Sequence, residues 1–231
     1  MKTRFITVAN KQSRGLTAFQ ESARRFNIEP ILLGWNQEWK GLWSKIWLIH
    51  EFCKSVGDND LILFADGFDC LFLSGEEEIV EKFKTFNFPA VFSGENNCHP
   101  SQNLHKFPDV GNGFKFLNSG GMMFEAGYMA ALLDHWGIYP EKDMRHYFDD
   151  QGFFHDLFLL QRAVKIDYNA DIWFTWLPWL DYGKLSYTFE GWRLRTNQTG
   201  SLPCIVHTPG HNDYNIITRY LHLPDVNTSY E

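Results

Sequence analysis

Cysteine is sparse in this chain: the four present, Cys53, Cys70, Cys98 and Cys204, stand far apart, with no pair at C-x-x-C spacing. That excludes a small disulfide-stapled scaffold and points to reduced thiols in a cytoplasmic protein. Long apolar runs are missing as well. None reaches the ~18 residues that would suggest a membrane-spanning helix, and the apolar stretch in the N-terminal MKTRFITVAN is too short for a signal peptide. Basic clusters are the third absence. With 21 Lys and Arg against 28 Asp and Glu, a formal net charge of -7 and no lysine or arginine stripe, there is no patch to displace counterions from a phosphate backbone. Nucleic acid is therefore excluded as a partner. Small anions held through a divalent cation stay compatible, because the metal brings its own positive charge. Repeats, low-complexity tracts and linkers are also lacking, so one domain over residues 1–231 is expected.

What is abundant is aromatic surface, 17% of the chain with 21 Phe and 9 Trp. Such residues fill cores and also form the flat walls on which bases and sugar rings stack. Apolar patterning alternates between strand and helix. Residues 4–9 predict a first strand, and Leu16, Phe19, Ala23 and Phe26 recur at helical spacing. A second strand follows at 29–33 and a helix at about 44–54, which the 57–60 Gly-Asp-Asn-Asp cluster ends before the apolar run 61–65. Further on come a helix near 77–84, a strand at 90–93, a long polar loop at 94–113, helices ending at Trp136 and starting at about Asp150, and a tryptophan-rich stretch from Trp173 to Trp179. Alternation of this kind implies a mostly parallel sheet with helices on both faces, whose ligands sit at the carboxyl ends of the strands.

The sharpest local signal lies at such an end. In LILFADGFD, Asp66 and Asp69 follow the buried run at i and i+3, with Gly67 easing a turn between them. Paired carboxylates suit Mg²⁺ or Mn²⁺ bridging to a diphosphate. They also suit a plain turn, in which Asp and Gly are common. His207, closing the apolar run 203–207 ahead of Gly210, is a candidate third ligand, and an imidazole beside two carboxylates tilts the choice toward Mn²⁺. A haloacid-dehalogenase-type phosphatase would need D-x-D, but position 68 is Phe and the second acid comes one residue late.

Taken in order, residues 6–10 (ITVAN), 34–41 (GWNQEWKG), Asp66 to Asp69, 117–121 (LNSGG), Asp149-Asp150-Gln151 and His207 with Gly210 resemble the glycosyltransferase domain of the procollagen lysyl hydroxylases over nearly the whole chain. The resemblance implies a GT-A (Rossmann-like) nucleotide-sugar transferase fold. It also implies Mn²⁺, with Mg²⁺ as the alternative, on Asp66, Asp69 and His207, and a UDP-sugar donor, UDP-glucose or UDP-galactose. Val8, Ala9 and Asn10 would line the uridine pocket with Gly67 and Phe68. Lys45 would face the phosphates, or else be an exposed helix lysine. Asn118, Ser119, Gly120 and Gly121 would approach the donor sugar; read alone, they form a turn. Asp149 and Asp150, with Gln151, would stand near the anomeric carbon, or else be acids favoured by a helix N-terminus.

The sequence departs from the family pattern where a loop lysine near the diphosphate gives way to His211, Asn212 and Asp213, with His211 the candidate replacement. It departs again where His99 stands for a tryptophan. The iron-binding hydroxylase domain has no counterpart in these residues, so a stand-alone hexosyltransferase acting on a glycan or protein acceptor is expected, hydroxylysine or its galactosylated form included. The rival expectation, motivated by the missing lysine, is a non-catalytic module that binds nucleotide-sugars or glycans.

Overall fold

The computed structural model describes residues 1–111, 113–138, 149–177, 186–210 and 215–225. Its frame is a six-stranded sheet in the order β2-β1-β3-β6-β5-β7. Strands β1 (Thr3–Val8), β2 (Ile31–Leu33) and β3 (Leu61–Ala65) pair in parallel. So do β5 (Ala90–Glu95) and β7 (Lys165–Asp167), while β6 (Phe116–Glu125) runs antiparallel between β3 and β5. The expectation of a mostly parallel sheet holds, with one reversed strand inside it.

Successive residues of β3 face opposite layers, as the pleat requires. Ile62 and Phe64 pack into a core with α2 (Trp43–Lys54), α4 (Ala126–His135) and α5 (Asp150–Gln161). Leu61, Leu63 and Ala65 pack into a second core, with Leu16, Phe19 and Ala23 of α1 (Arg14–Arg24) and Ile79 and Phe83 of α3 (Glu76–Thr85). Both faces being covered explains why the run 61–65 is continuously apolar rather than alternating.

Beside the main sheet lies a three-stranded one, β4 (Cys70–Phe72), β11 (Ile205–His207) and β8 (Trp173–Thr175), in the order β4-β11-β8. A hairpin of β9 (Tyr187–Glu190) and β10 (Arg193–Thr196) and the short α6 (Asn215–Tyr220) complete the described elements. The small sheet fixes the site, because β4 is the continuation of the 66–69 loop and β11 delivers His207 to the same place.

Two elements differ from the sequence reading. Residues 118–121, which read as a turn in isolation, lie inside the ten-residue strand β6. Their small side chains reflect crowding: a Cβ on Gly120 would stand 2.7 Å from Nε2 of His207, and one on Gly121 2.5 Å from the Trp173 ring. The polar loop begins later than expected, since β5 runs on to Glu95, and it contains a 3-10 turn at Ser101–Lys106. Among the described residues no helix is long and apolar enough to cross a membrane.

Candidate metal and nucleotide-sugar site

At the carboxyl end of β1, Val8 and Ala9 are buried, and the Ala9 amide donates to Leu33 O at 3.0 Å. Asn10 O accepts from the Asn36 amide at 3.1 Å, and its side-chain amide donates to Gln37 O at 3.4 Å. These bonds tie the strand end to the loop that exposes Trp35 and Trp39.

One strand over, the Asp66 amide donates to Gly120 O at 2.9 Å, extending the β3–β6 pairing by one residue before the chain turns. Gly67 is required there for space, since a Cβ would stand 2.6 Å from Thr7 Oγ1. Likewise, a Cβ on Gly15 at the start of α1 would overlap the Phe68 carbonyl. The turn is pinned at its far end, where Asp69 O accepts from the Thr208 amide at 3.0 Å.

This geometry brings Asp69 to His207. The imidazole is 1% exposed, and its Nε2 lies 3.4 Å from Asp69 Oδ1. Neither ring nitrogen of His207 nor Asp69 Oδ1 has a hydrogen-bond partner, although all three atoms are buried. Oδ1 and Nε2 face each other without a well-aligned hydrogen bond and Nδ1 has no partner at all, an under-satisfied buried arrangement that a bound cation would relieve. Among the described residues one such ligand group is found: Asp69, Cys70 and His207 each offer an atom within 4.8 Å of the others. Burial lowers the His207 pKa, but the neighbouring Asp69 and Asp66 charges outweigh it and leave the imidazole above its usual value. Asp66 is raised, burial opposing the pull of Lys45.

Lys45 is not the exposed helix lysine that its sequence position allowed. Its side chain is 7% exposed, and Nζ lies 2.6 Å from Asp150 Oδ2, 3.3 Å from Asp66 Oδ1 and 3.3 Å from Ser119 O. Burial pushes its pKa down, yet the two carboxylates more than compensate and hold it well above the ordinary lysine range. The ammonium thus joins β3, β6 and the first turn of α5.

At that helix terminus Asp149 is the N-cap, its Oδ1 accepting from the Gly152 amide at 2.8 Å. Its other oxygen lies 3.0 Å from His99 Nε2, so His99 pairs with this acid. Gln151 donates to Glu95 Oε1 at 2.7 Å and to His99 O at 2.6 Å, while its own oxygen accepts from the Ser119 amide at 3.0 Å. Asn118 Oδ1 accepts from the Gly120 amide at 2.9 Å.

The structure therefore gathers Asp66, Lys45, Ser119, Gly120, Asp150 and Gln151 into one hydrogen-bonded cluster, with Asp69 and His207 paired beside it; Asp66 turns its carboxylate to Lys45 and stands outside the ligand group that Asp69 and His207 form with Cys70. Val8, Ala9 and Asn10 lie at the adjoining strand end, and Gly210, at φ 78°, follows His207 by three residues. His211, with Asn212, Asp213 and Trp179, lies outside the described residues. Two members escaped the sequence reading. Glu95 is 3% exposed, and burial pushes its carboxyl up to about 7; like Asp66, it is an acid at the end of an apolar strand, and that signal was available. Cys70 carried no signal beyond being an isolated cysteine.

The fold is that of the GT-A glycosyltransferases. Solved structures agree on the fold: mouse xyloside xylosyltransferase 1 in its apo form aligns with a TM-score of 0.54 at 10% identity, covering 90% of this chain and 98% of that one. The galactosyltransferase LgtC, in complex with donor and acceptor sugar analogues, gives a TM-score of 0.51 at 12% identity, covering 90% and 87%. The family model "PLOD GT domain" matches residues 1–227, and the chain belongs to that family. Among its relatives, the multifunctional procollagen lysine hydroxylase and glycosyltransferase LH3 of Rattus norvegicus is 32% identical over 221 residues, covering 89% of this chain and 29% of that protein. Procollagen-lysine,2-oxoglutarate 5-dioxygenase 1 of Gallus gallus is 31% identical over 221 residues, covering 89% and 30%. The chain thus spans about 30% of the length of these curated relatives.

Proposed function

We propose that the chain is a Mn²⁺-dependent hexosyltransferase that moves glucose or galactose from a UDP-sugar to an acceptor hydroxyl, with hydroxylysine or galactosyl-hydroxylysine of a collagen-like protein as the acceptor class. The observation that carries this reading is the pairing of Asp69 with His207, three of whose buried donor atoms lack hydrogen-bond partners, next to Asp66 at the carboxyl edge of a GT-A sheet. The donor set fits a divalent cation, and its imidazole favours Mn²⁺ over Mg²⁺. Asp66, Asp69 and His207 would hold the ion, which supplies positive charge to a departing diphosphate.

The chain's own groups do the rest. Val8, Ala9 and Asn10, with Gly67 and Phe68, form the uridine wall, its backbone set by the hydrogen bonds to the 33–37 segment. Lys45 holds Asp150 and Asp66 in fixed positions, so that Asp150 is placed in advance to stabilise a positive anomeric carbon. Gln151 braces Ser119 against Glu95, so that Asn118 to Gly121 keep the close approach a sugar ring needs. Asp149, paired with His99, marks the acceptor side. Gly210 would bound the diphosphate end.

Release of UDP from a panel of UDP-sugars, with and without Mn²⁺ and with hydroxylysine-containing peptides, tests the proposal. Metal-dependent release that a peptide accelerates supports it. Tight nucleotide-sugar binding with no release for any donor and acceptor would replace it with the binding-module reading.

A further inference from the structure

Cys70 has no role in the proposed transfer, yet it stands within the ligand cluster. Strand β4 runs antiparallel to β11 with Cys70 directly opposite His207, and residues so paired project from the same face of the ladder. The thiol is 0% exposed. Its Sγ, a carboxylate oxygen of Asp69 and a ring nitrogen of His207 lie within 4.8 Å of one another. The thiol donates to Gly120 O at 3.8 Å, a long and weak contact. His207, 1% exposed with neither ring nitrogen hydrogen-bonded, adds two buried, unpartnered nitrogen atoms to the cluster.

A sulfur, an imidazole nitrogen and a carboxylate oxygen together form a softer donor set than carboxylates alone, and thiolates select for Zn²⁺ and similar ions where hard oxygens suit Mg²⁺ and Mn²⁺. We infer that Cys70 gives this centre a second, thiophilic mode, in which Zn²⁺ or Co²⁺ is bound by Asp69, Cys70 and His207 and displaces Mn²⁺. The metal–sulfur bond forms as the thiol proton leaves to solvent, with no change of oxidation state. Because Asp69 and His207 serve both modes, the two cations compete for one place. The inference rests on the reading of Asp69 and His207 as metal ligands.

The test uses the full chain loaded with one equivalent of Zn²⁺, with X-ray absorption at the zinc edge, beside Cys70→Ser and Cys70→Val. A sulfur neighbour at about 2.3 Å in the wild type, absent in both variants, is the expected result. Zn²⁺ affinity should fall at least about tenfold in the variants, while Mn²⁺ affinity, followed by the resonance of the free ion, falls less. A zinc shell of nitrogen and oxygen alone in the wild type, or a sulfur neighbour that persists in both variants, overturns the inference. If Mn²⁺ still binds in a His207-dependent way in that case, the proposed metal site survives; if wild type binds neither cation, with or without UDP, both readings fall together.

Discussion

Replacing Lys45 with methionine takes a buried ammonium away from two carboxylates while keeping the length and apolar character of the stem. Asp150 is the more sensitive partner, with its side chain 5% exposed and its oxygen 2.6 Å from Nζ; Asp66 is 32% exposed at 3.3 Å, so water screens that pair more. Removing one member of a buried pair costs about 3–5 kcal/mol, and partial exposure of Asp66 argues for the lower end, about 3 kcal/mol. In a domain of this size each kcal/mol lowers Tm by about 2–4 °C, which gives a fall of roughly 6–12 °C. Thermal and urea unfolding of the metal-free protein measure it. The Lys45 pKa is raised in the fold above its ordinary 10.5, so its contribution is fully present below that value and is lost only as pH climbs through the higher folded one. The difference between wild type and Lys45→Met should therefore be flat from about pH 7 to 9 and shrink only in strong alkali. Combining it with Asp150→Asn should recover about half of the loss. A single variant within about 1 kcal/mol of wild type, or a double variant no better than the single, would refute the buried-pair argument.

Other expectations concern the metal edge and its neighbours. Asp69→Ala and His207→Ala should each abolish Mn²⁺-dependent UDP binding in calorimetry while leaving the circular dichroism spectrum unchanged; retained binding would remove these residues from the site. Gly120→Ala places a Cβ 2.7 Å from His207 Nε2, so it should displace the imidazole and weaken Mn²⁺ binding together with stability, whereas a variant with native metal affinity would contradict that packing. Glu95 is raised from 4.5 to about 7, so the fold favours its neutral form and stability is lost as pH rises from about 4.5 to 7, by at most roughly 3 kcal/mol. Glu95→Gln should remove that slope in urea titrations at pH 4 and pH 8; an unchanged slope would assign it to other groups.

The chain's periodicity made its frame readable. The continuous apolar run at 61–65, bounded by the Gly-Asp-Asn-Asp cluster, is β3 with the same bounds, and the apolar run ending at His207 is β11. What the local string could not convey was pairing. Asn-Ser-Gly-Gly looks like a turn because small polar residues usually make turns, but here they are small because His207 and Trp173 press on their backbone from strands far away in sequence. Lys45 shows the same limit. Nothing in α2 distinguishes it from a solvent-facing lysine, and only the approach of Asp66 and Asp150 makes its burial tolerable. Cys70 entered the cluster through a cross-strand register with His207 that spacing along the chain does not encode. Glu95 was within reach of the same logic that found Asp66, an acid ending a buried strand, once the strand is extended past Ser93 to its observed end.

On the proposed function, Asp69 and His207, with Asp66 beside them, would grip one divalent cation that holds a nucleotide diphosphate. A crystal of the chain grown with Mn²⁺ and UDP, with anomalous scattering collected at the manganese edge, measures this directly. A single strong peak in contact with Asp69 and His207 and with the diphosphate of UDP is the expected result. A peak elsewhere, or UDP bound with the imidazole of His207 left uncoordinated, would contradict it.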